Sequence, residues 1–486
     1  MRSIFTLGVA QVLSLVAGLV ATILLPRYLG DVNLGKLAFA GALTSLFGLI
    51  ADLGTMAYLT KQVARDPAQA GALTVSAILT RIPLGLGAAL LCAGIVNLTG
   101  EDDVTKAIVY VLSAGMIVVS LANTFGAALQ GLQRMRALAV SMVIGKLLYA
   151  GLVAALLFAG FGVVEVAIAS LLSSLMGATV GAIALGRTAT ATRDVTPSTL
   201  RRVVTGGIPF FVWQAALVVY GQIDFVLLSL MTTDAVVGWY AAAYRIIMIP
   251  AFVPTTVVTA VFPALSAAAH DLPVFRGLAH RSIRLLALTT VPMAFGILVL
   301  PDRLIELLSY PASFSHSVWP IILLALHMPL AGIDTVLGTM LATLDKQRAW
   351  ALTGVAAAFL NPALNMIAIP VTQSLFGNGA IGAAAITTMT ELFMLGVALR
   401  LMPRGVLGQE TVTYVGKCFA AALFMAAVVW PLRETTLFIP VLVGILVYAA
   451  AAVVLRLVSA DELRDYANLI LRRRGPIPPL PVIEAS

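Results

Sequence analysis

Long apolar stretches dominate this chain and leave it few ways to fold. Segments able to span a bilayer run at roughly 4–25, 37–60, 72–98, 106–130, 137–159, 163–186, 207–230, 236–262, 285–300, 317–344, 349–370, 380–402, 412–430 and 436–457. Crossing a hydrocarbon core about 30 Å thick takes about 20 helical residues. Inside lipid only helices and closed barrels satisfy their own backbone hydrogen bonds, and strand alternation is absent here. The sequence therefore predicts an all-α integral membrane protein with about fourteen transmembrane helices. Composition agrees: 30 Lys+Arg and 22 Asp+Glu make only 11% of 486 residues, and 60% are hydrophobic, whereas soluble domains carry roughly 25% charge. No sizeable soluble domain fits between the runs.

A net charge of +8 could suit nucleic acid, but the basic residues are scattered between apolar runs, a pattern of membrane topology that excludes that partner. Cys92 and Cys418 both lie inside apolar runs, so no disulfide framework or metal site is implied. The first run lacks a small-residue cleavage site before Pro26-Arg27 and reads as a retained helix. Gly30 to Lys36 matches the opening of a phosphate-binding loop, yet Leu37 stands where Ser or Thr is needed and no strand precedes it. The Asn97-Leu98-Thr99 sequon carries no weight, and the proline-rich tail after Arg474 reads as disordered.

Alternate connections differ sharply in charge. With the N-terminus cytoplasmic, 21 Lys and Arg fall on the inner side and 5 on the outer, the remaining four (Arg81, Lys146, Arg245, Lys417) lying within spans. The positive-inside rule then puts both termini in the cytoplasm of a multi-pass protein of the cell membrane.

The chain also repeats. A shift of 203 places Gln11 on Gln214, Gly18 on Gly221, Asp31 on Asp234 and Gly35 on Gly238, and a shift of 212 places Arg134 and Arg136 on Lys346 and Arg348. Six helices per unit is even, so the repeats are parallel, as in alternating-access transporters. The expected architecture is two six-helix bundles around a central cavity plus two C-terminal helices. Its parts are an N-terminal bundle (1–186), a cytoplasmic linker (187–206), a C-terminal bundle (207–405), two additional helices (406–458) and a cytoplasmic tail (459–486).

Ionisable residues inside spans are costly and mark candidate sites. In the seventh helix Trp213, Leu217, Tyr220 and Asp224 recur at i, i+4, i+7 and i+11 and share one stripe. The eighth carries Tyr240, Tyr244 and Arg245 at comparable depth, so Asp224 and Arg245 can pair, either as a gate or as a structural ion pair. His327 and Asp334 lie on one face of the tenth helix, where they can relay protons, or simply be satisfied locally. Glu391 in the twelfth helix, near Thr387 and Thr388, and Asp52 in the second can each face a cavity or satisfy helix contacts. Arg81 and Lys146 sit about 14 Å into helices that start on the cytoplasmic side. Cations at that depth suit an anionic headgroup, although long side chains can snorkel. Tyr220 and Tyr244 join the candidate cavity lining; Asn361 and Asn365, beside Pro362, read as satisfying a kinked backbone.

The runs LLPRYLGDVNLGKLAFA, LQGLQRMR, GIPFFVWQAALVVYGQID, GWYAAAYR, LNPALNMIAIP and GNGAIGAAAITTMTE, in that order over residues 4 to about 405, resemble the polysaccharide transporter family. That family includes the O-antigen and exopolysaccharide flippases and belongs to the superfamily of multidrug, oligosaccharidyl-lipid and polysaccharide exporters. The resemblance implies a V of two bundles that moves a polyprenyl-diphosphate-linked oligosaccharide to the outer leaflet by alternating access, for cell-surface polysaccharide or lipopolysaccharide biosynthesis. It maps basic cavity residues onto Arg81, Lys146 and Arg245. It also implies H+ or Na+ coupling without a cofactor, and polymerase or ligase partners downstream. The rival within the same fold is an ion-coupled multidrug exporter, which would favour an acidic residue in the first helix, where only Gln11 stands. An integral-membrane glycosyltransferase needs an ordered hydrophilic loop with acid/base residues. The largest outer connection, about 301–316, holds only Asp302, Arg303, Glu306 and His316, so an enzyme is not expected.

Overall fold

The computed structural model describes residues 2–188 and 195–458, the side chains of residues 1–12 and 260 apart. The described residues form helices and connections with no strand. The helices are α1 (Arg2–Asp52), α2 (Thr55–Arg65), α3 (Ala70–Leu98), α4 (Asp103–Gly131), α5 (Met135–Phe158), α6 (Val163–Gly186), α7 (Pro197–Met231) and α8 (Asp234–Met248). They continue with α9 (Phe252–Ala267), α10 (Leu272–Val299), α11 (Pro301–Leu307), α12 (Val318–Thr343), α13 (Gln347–Phe376), α14 (Gly379–Leu401), α15 (Gln409–Val429) and α16 (Phe438–Val454).

Each expected apolar segment lies on helix, but not one helix apiece. Among the described residues eleven helices are long and apolar enough to cross a membrane, and α8 with α9, bent by 42°, makes a twelfth span. The first two segments are both carried by α1, whose 51 residues run through a break at Gly30 (φ 73°, ψ 179°). An L side chain rarely adopts that φ, so glycine is what lets the chain turn there without strain. The last segment is α16, only 17 residues long.

Three boundaries depart from expectation for readable reasons. The second segment ends at Asp52; Leu53 and Gly54 adopt left-handed backbone (φ 44° and 68°), and α2 restarts as an amphipathic helix carrying Lys61 and Arg65. Helix α7 starts at Pro197, ten residues early, because Thr196 caps it and Pro197 is pre-organised for the first turn. Helix α10 begins at Leu272 rather than near 285, since Asp271 caps it and the helix continues through Arg276, His280, Arg281 and Arg284. Charge ended the apolar run there, not the helix. The expected tail beyond 458 and part of the linker, 189–194, lie outside the described residues.

Packing follows the logic of lipid, where burial of apolar surface does not distinguish a helix neighbour from a lipid tail and small residues let backbones approach. Ser141 and Gly145 on α5 face Ser173 and Gly177 on α6: a Cβ built at Gly145 would lie 3.2 Å from the Ser173 carbonyl. In the N-terminal half α6 packs on α4 and α5, and α1 on α3, α4 and α5; in the C-terminal half α14 packs on α12 and α13, and α10 on α12 and α15. The halves meet mainly through α1 against α8 and α7, and α2 and α3 against α7. The largest buried apolar cluster crosses that junction, joining Leu34, Phe39 and Val166 to Tyr240, Leu324 and Ala384.

Both ends of the junction are closed by backbone. At the end expected to face outward, a Cβ at Gly35 would lie 1.8 Å from the Asp234 carbonyl oxygen, and one at Gly238 would lie 2.0 Å from that of Asp31. At the other end a Cβ at Gly207 would lie 2.4 Å from the Leu53 carbonyl oxygen, one at Gly54 2.3 Å from that of Gly207, and one at Gly206 2.1 Å from the Tyr58 ring. Only glycine permits either closure.

Candidate functional site

Five helices of the C-terminal half converge on one buried polar cluster. Its centre is Asp224 on α7, 3% exposed. Asn365 Nδ2 on α13 donates to Asp224 Oδ1 at 2.8 Å, while Tyr240 Oη on α8 and Thr387 Oγ1 on α14 donate to Oδ2 at 2.8 and 2.7 Å. Asn365 Nδ2 also donates to Asn361 Oδ1 at 3.0 Å. An ionised carboxylate is acceptor-only, and three donors aimed at its two oxygens fit that form. Asn361 Nδ2 and Asn365 Oδ1 are buried without a hydrogen-bond partner among the described residues.

One turn along, the same two helices make a second contact. Tyr220, four residues before Asp224 on α7, donates to Glu391 Oε2 at 2.8 Å, and Glu391 lies four residues after Thr387 on α14. The i, i+4 register of the two helices thus brings Tyr220 to Glu391 and Asp224 to Thr387, which makes them antiparallel neighbours here. His327 on α12 places Nδ1 3.8 Å from Glu391 Oε2, within ion-pair range but too far for a hydrogen bond. Asp334, on the same helix, has its Oδ1 buried without a hydrogen-bond partner among the described residues. Tyr240 and Tyr244 flank Phe225, with ring centroids 5.1 and 5.8 Å away.

The expected pairing of Asp224 with Arg245 is corrected: Asp224 is held by Asn365, Tyr240 and Thr387. Successive helical residues are about 100° apart, so the face that turns Tyr240 and Tyr244 inward carries Arg245 round to another side. There its charge reaches Tyr149 on α5 and Tyr310, whose hydroxyl donates to the Thr22 carbonyl at 2.6 Å. Arg245 therefore sits at the junction of the halves.

Arg81 is corrected in kind as well. It is 1% exposed and ion-paired with Asp52. Its Nε donates to Thr55 Oγ1 at 2.8 Å, and its Nη1 to Thr124 Oγ1 at 2.8 Å and the Ser120 carbonyl at 2.5 Å. The guanidinium is consumed by α1, α2 and α4, which leaves no face for a headgroup. Lys146 is exposed on α5, as a snorkelling or headgroup-facing cation requires.

Asn361 and Asn365 go beyond the kink role assigned to them, since Asn365 holds Asp224 directly. The available signal was two amides at i, i+4 in an otherwise apolar helix. The outer closure gave less warning: Lys36 pairs with Asp102 and lies 4.0 Å from Asp234, and Trp239 Nε1 donates to Asp31 Oδ2 at 2.9 Å while stacking on His316. Burial works to raise the Asp102 carboxyl, but hydrogen bonds from Lys36 and Thr105 outweigh it and hold the group at about 2.

The fold defines a class, that of helical membrane proteins with two bundles of spans. It is similar to the lipid II flippase MurJ in an inward closed conformation (TM-score 0.76, covering 96% of this chain and 99% of that one, 16% identity). It is also similar to an inward-facing multidrug resistance MATE family transporter of the MOP superfamily (TM-score 0.65, 81% and 94% covered, 18% identity). Within that class, the family model described as polysaccharide biosynthesis protein matches residues 1–269, and the chain belongs to this family. Among curated proteins, the probable low-salt glycan biosynthesis flippase Agl15 of Haloferax volcanii is 23% identical over 260 residues, 52% of this chain and 54% of that protein. The probable flippase AglR of the same organism is 25% identical over 215 residues, 43% and 44% of the two chains. The chain matches about half the length of these relatives.

Proposed function

We propose that this protein is a flippase, not an enzyme, that carries a polyprenyl-diphosphate-linked oligosaccharide from the cytoplasmic to the outer leaflet by alternating access. The observation that carries the reading is the junction of the halves, closed at both ends by glycine against backbone. Such contacts interlock few side chains, so either end can part while the other holds. Family membership and relatives named as glycan flippases support the cargo class. In this reading both termini are cytoplasmic, as the basic-residue count implies, and polymerases or ligases take up the product outside.

Coupling to a monovalent cation belongs to the same proposal. A buried carboxylate costs free energy unless paired, and Asp224 has oxygen-bearing neighbours in Asn361, Asn365 and Thr387. Hard cations take oxygen ligands, which suits Na+; a proton on Asp224 would neutralise it too. Glu391, with His327 and Asp334 beside it, is the second candidate for proton traffic.

The test is depletion of the protein followed by mass spectrometry of polyprenyl-linked lipids, with leaflet access probed by an impermeant glycosidase. Accumulation of one diphosphate-linked oligosaccharide on the cytoplasmic leaflet is expected. No accumulation, with raised sensitivity to cationic drugs, would assign the protein to the multidrug exporters of the same fold.

A further inference from the structure

Helices α10, α15 and α16 share a seam away from the junction of the halves and from the Asp224 cluster. At one end it opens into a pocket of about 470 Å³ whose lining includes His280, Arg284, Lys417 and Arg456, with Glu410 the single carboxylate. His280 and Arg284 stand at i, i+4 on α10 and so share a face. The C-terminal turn of α16 draws the cations together: Lys417 Nζ donates to the Leu455 carbonyl at 3.2 Å, and Arg284 Nη2 to that of Leu457 at 3.1 Å. Arg456, just past that turn, is exposed and left-handed at φ 54°.

Further along the same three helices lies an apolar groove of about 590 Å³, lined by Pro292 and Gly296 of α10, Met425 and Val429 of α15, and Gly444 and Tyr448 of α16 among others. From Arg284 to Pro292, and from Lys417 to Met425, is eight residues, or about 12 Å of helix. A basic pocket thus stands about 12 Å along the helices from the near end of an apolar trough.

We propose that this seam binds an anionic bilayer phospholipid of the cytoplasmic leaflet, its phosphate in the basic pocket and one acyl chain in the groove. The pocket's cations outnumber its one carboxylate, which complements a phosphate ester. The groove is also lined by Ile246 of α8 and Phe252 of α9, but the basic pocket is built from α10, α15 and the turn after α16 alone, outside the α1–α8 and α2–α7 contacts that would have to part for transport. That position favours a resident lipid over cargo. The leaflet assignment rests on the orientation proposed above.

The experiment is native mass spectrometry of the purified full-length protein with phosphatidylglycerol or phosphatidylcholine added, beside the Lys417→Gln/Arg456→Gln variant. Both side chains are exposed, so folding is spared. Two basic residues near an anionic headgroup are removed together, so phosphatidylglycerol retention is expected to fall roughly thirtyfold in the variant, with phosphatidylcholine unchanged. Equal retention of the two lipids by the native protein, or an unaffected variant, would overturn the proposal. So would displacement of phosphatidylglycerol by a synthetic polyprenyl diphosphate, which would give the pocket to the cargo. Labelling of Thr413→Cys by an impermeant maleimide reports orientation separately; reaction from outside the cell would overturn the leaflet assignment while leaving the lipid preference readable.

Discussion

Asp224 and Arg81 are both buried charges, and their surroundings give them different work. Arg81 has a counter-charge and three further hydrogen bonds around it, so its role is to hold α1, α2 and α4 together. Removing one partner of such a pair costs about 3–5 kcal/mol, because the other charge stays buried alone. Arg81→Gln should therefore lower the thermal unfolding temperature of the detergent-solubilised protein clearly, and adding Asp52→Asn should recover part of the loss. Asp224 has donors but no cationic partner among the described residues, so its substitution should act on transport instead. Asp224→Asn is expected to leave expression and unfolding near native while abolishing export and its dependence on Na+ or pH, measured as lipid-linked precursor trapped inside. At this scale the sequence marked the ionisable residues inside spans but not whom they touch. Tyr220, Asp224, His327, Asp334 and Glu391 stood out because ionisable or hydroxylated side chains are rare in spans, and three helices bring them together. Arg245 went astray because depth along a helix is readable from residue count, while rotation about its axis is set by packing against α1 and α12.

Among elements, the α1–α8 contact is the most demanding. Gly35→Ala places a methyl group 1.8 Å from the Asp234 carbonyl, so the helices must separate; overpacking of this kind costs about 1–3 kcal/mol. The expected readout is faster labelling of Ala241→Cys by an impermeant maleimide in the Gly35→Ala background than in native protein. The Lys36–Asp102 pair ties α1 to the start of α4 at the same end and gives that tie an acid limit. Asp102, held at about 2, against about 3.9 for a free Asp, binds its proton less readily folded than unfolded. Its contribution is thus present above about pH 4 and lost as the pH falls toward 2. The thermal unfolding temperature of the detergent-solubilised protein should fall over that window, and Asp102→Asn should weaken the dependence. Element positions were legible wherever an apolar run coincided with a helix. Boundaries were not, at Asp52, Pro197 and Leu272, because caps and left-handed residues end helices whereas apolar runs end at charges.

For the molecule as a whole, the proposed alternating access requires the two closures to open in turn. A cysteine pair replacing Tyr58 and Gly206, whose positions touch across the α2–α7 contact, should stop transport when oxidised and release it on reduction. Undiminished transport by the cross-linked protein would show that these helices need not part. The overall plan was legible in the repeat, since a shift of 203 residues aligned Asp31 and Gly35 with Asp234 and Gly238, the residues that meet at the outer closure. What the shift could not reveal was that corresponding residues touch each other, because self-similarity in a chain carries no information about the axis relating its copies.

That reciprocity has a historical reading. Gly35 approaches the Asp234 carbonyl as Gly238 approaches that of Asp31, so one patch is complementary to its own duplicate, the defining property of an isologous interface. A half-length ancestor could have formed the same closure by pairing with an identical subunit. Gene fusion would then have preserved a gate that already worked, freeing the two copies to diverge into an Arg81–Asp52 strut in one half and an Asp224 cluster in the other.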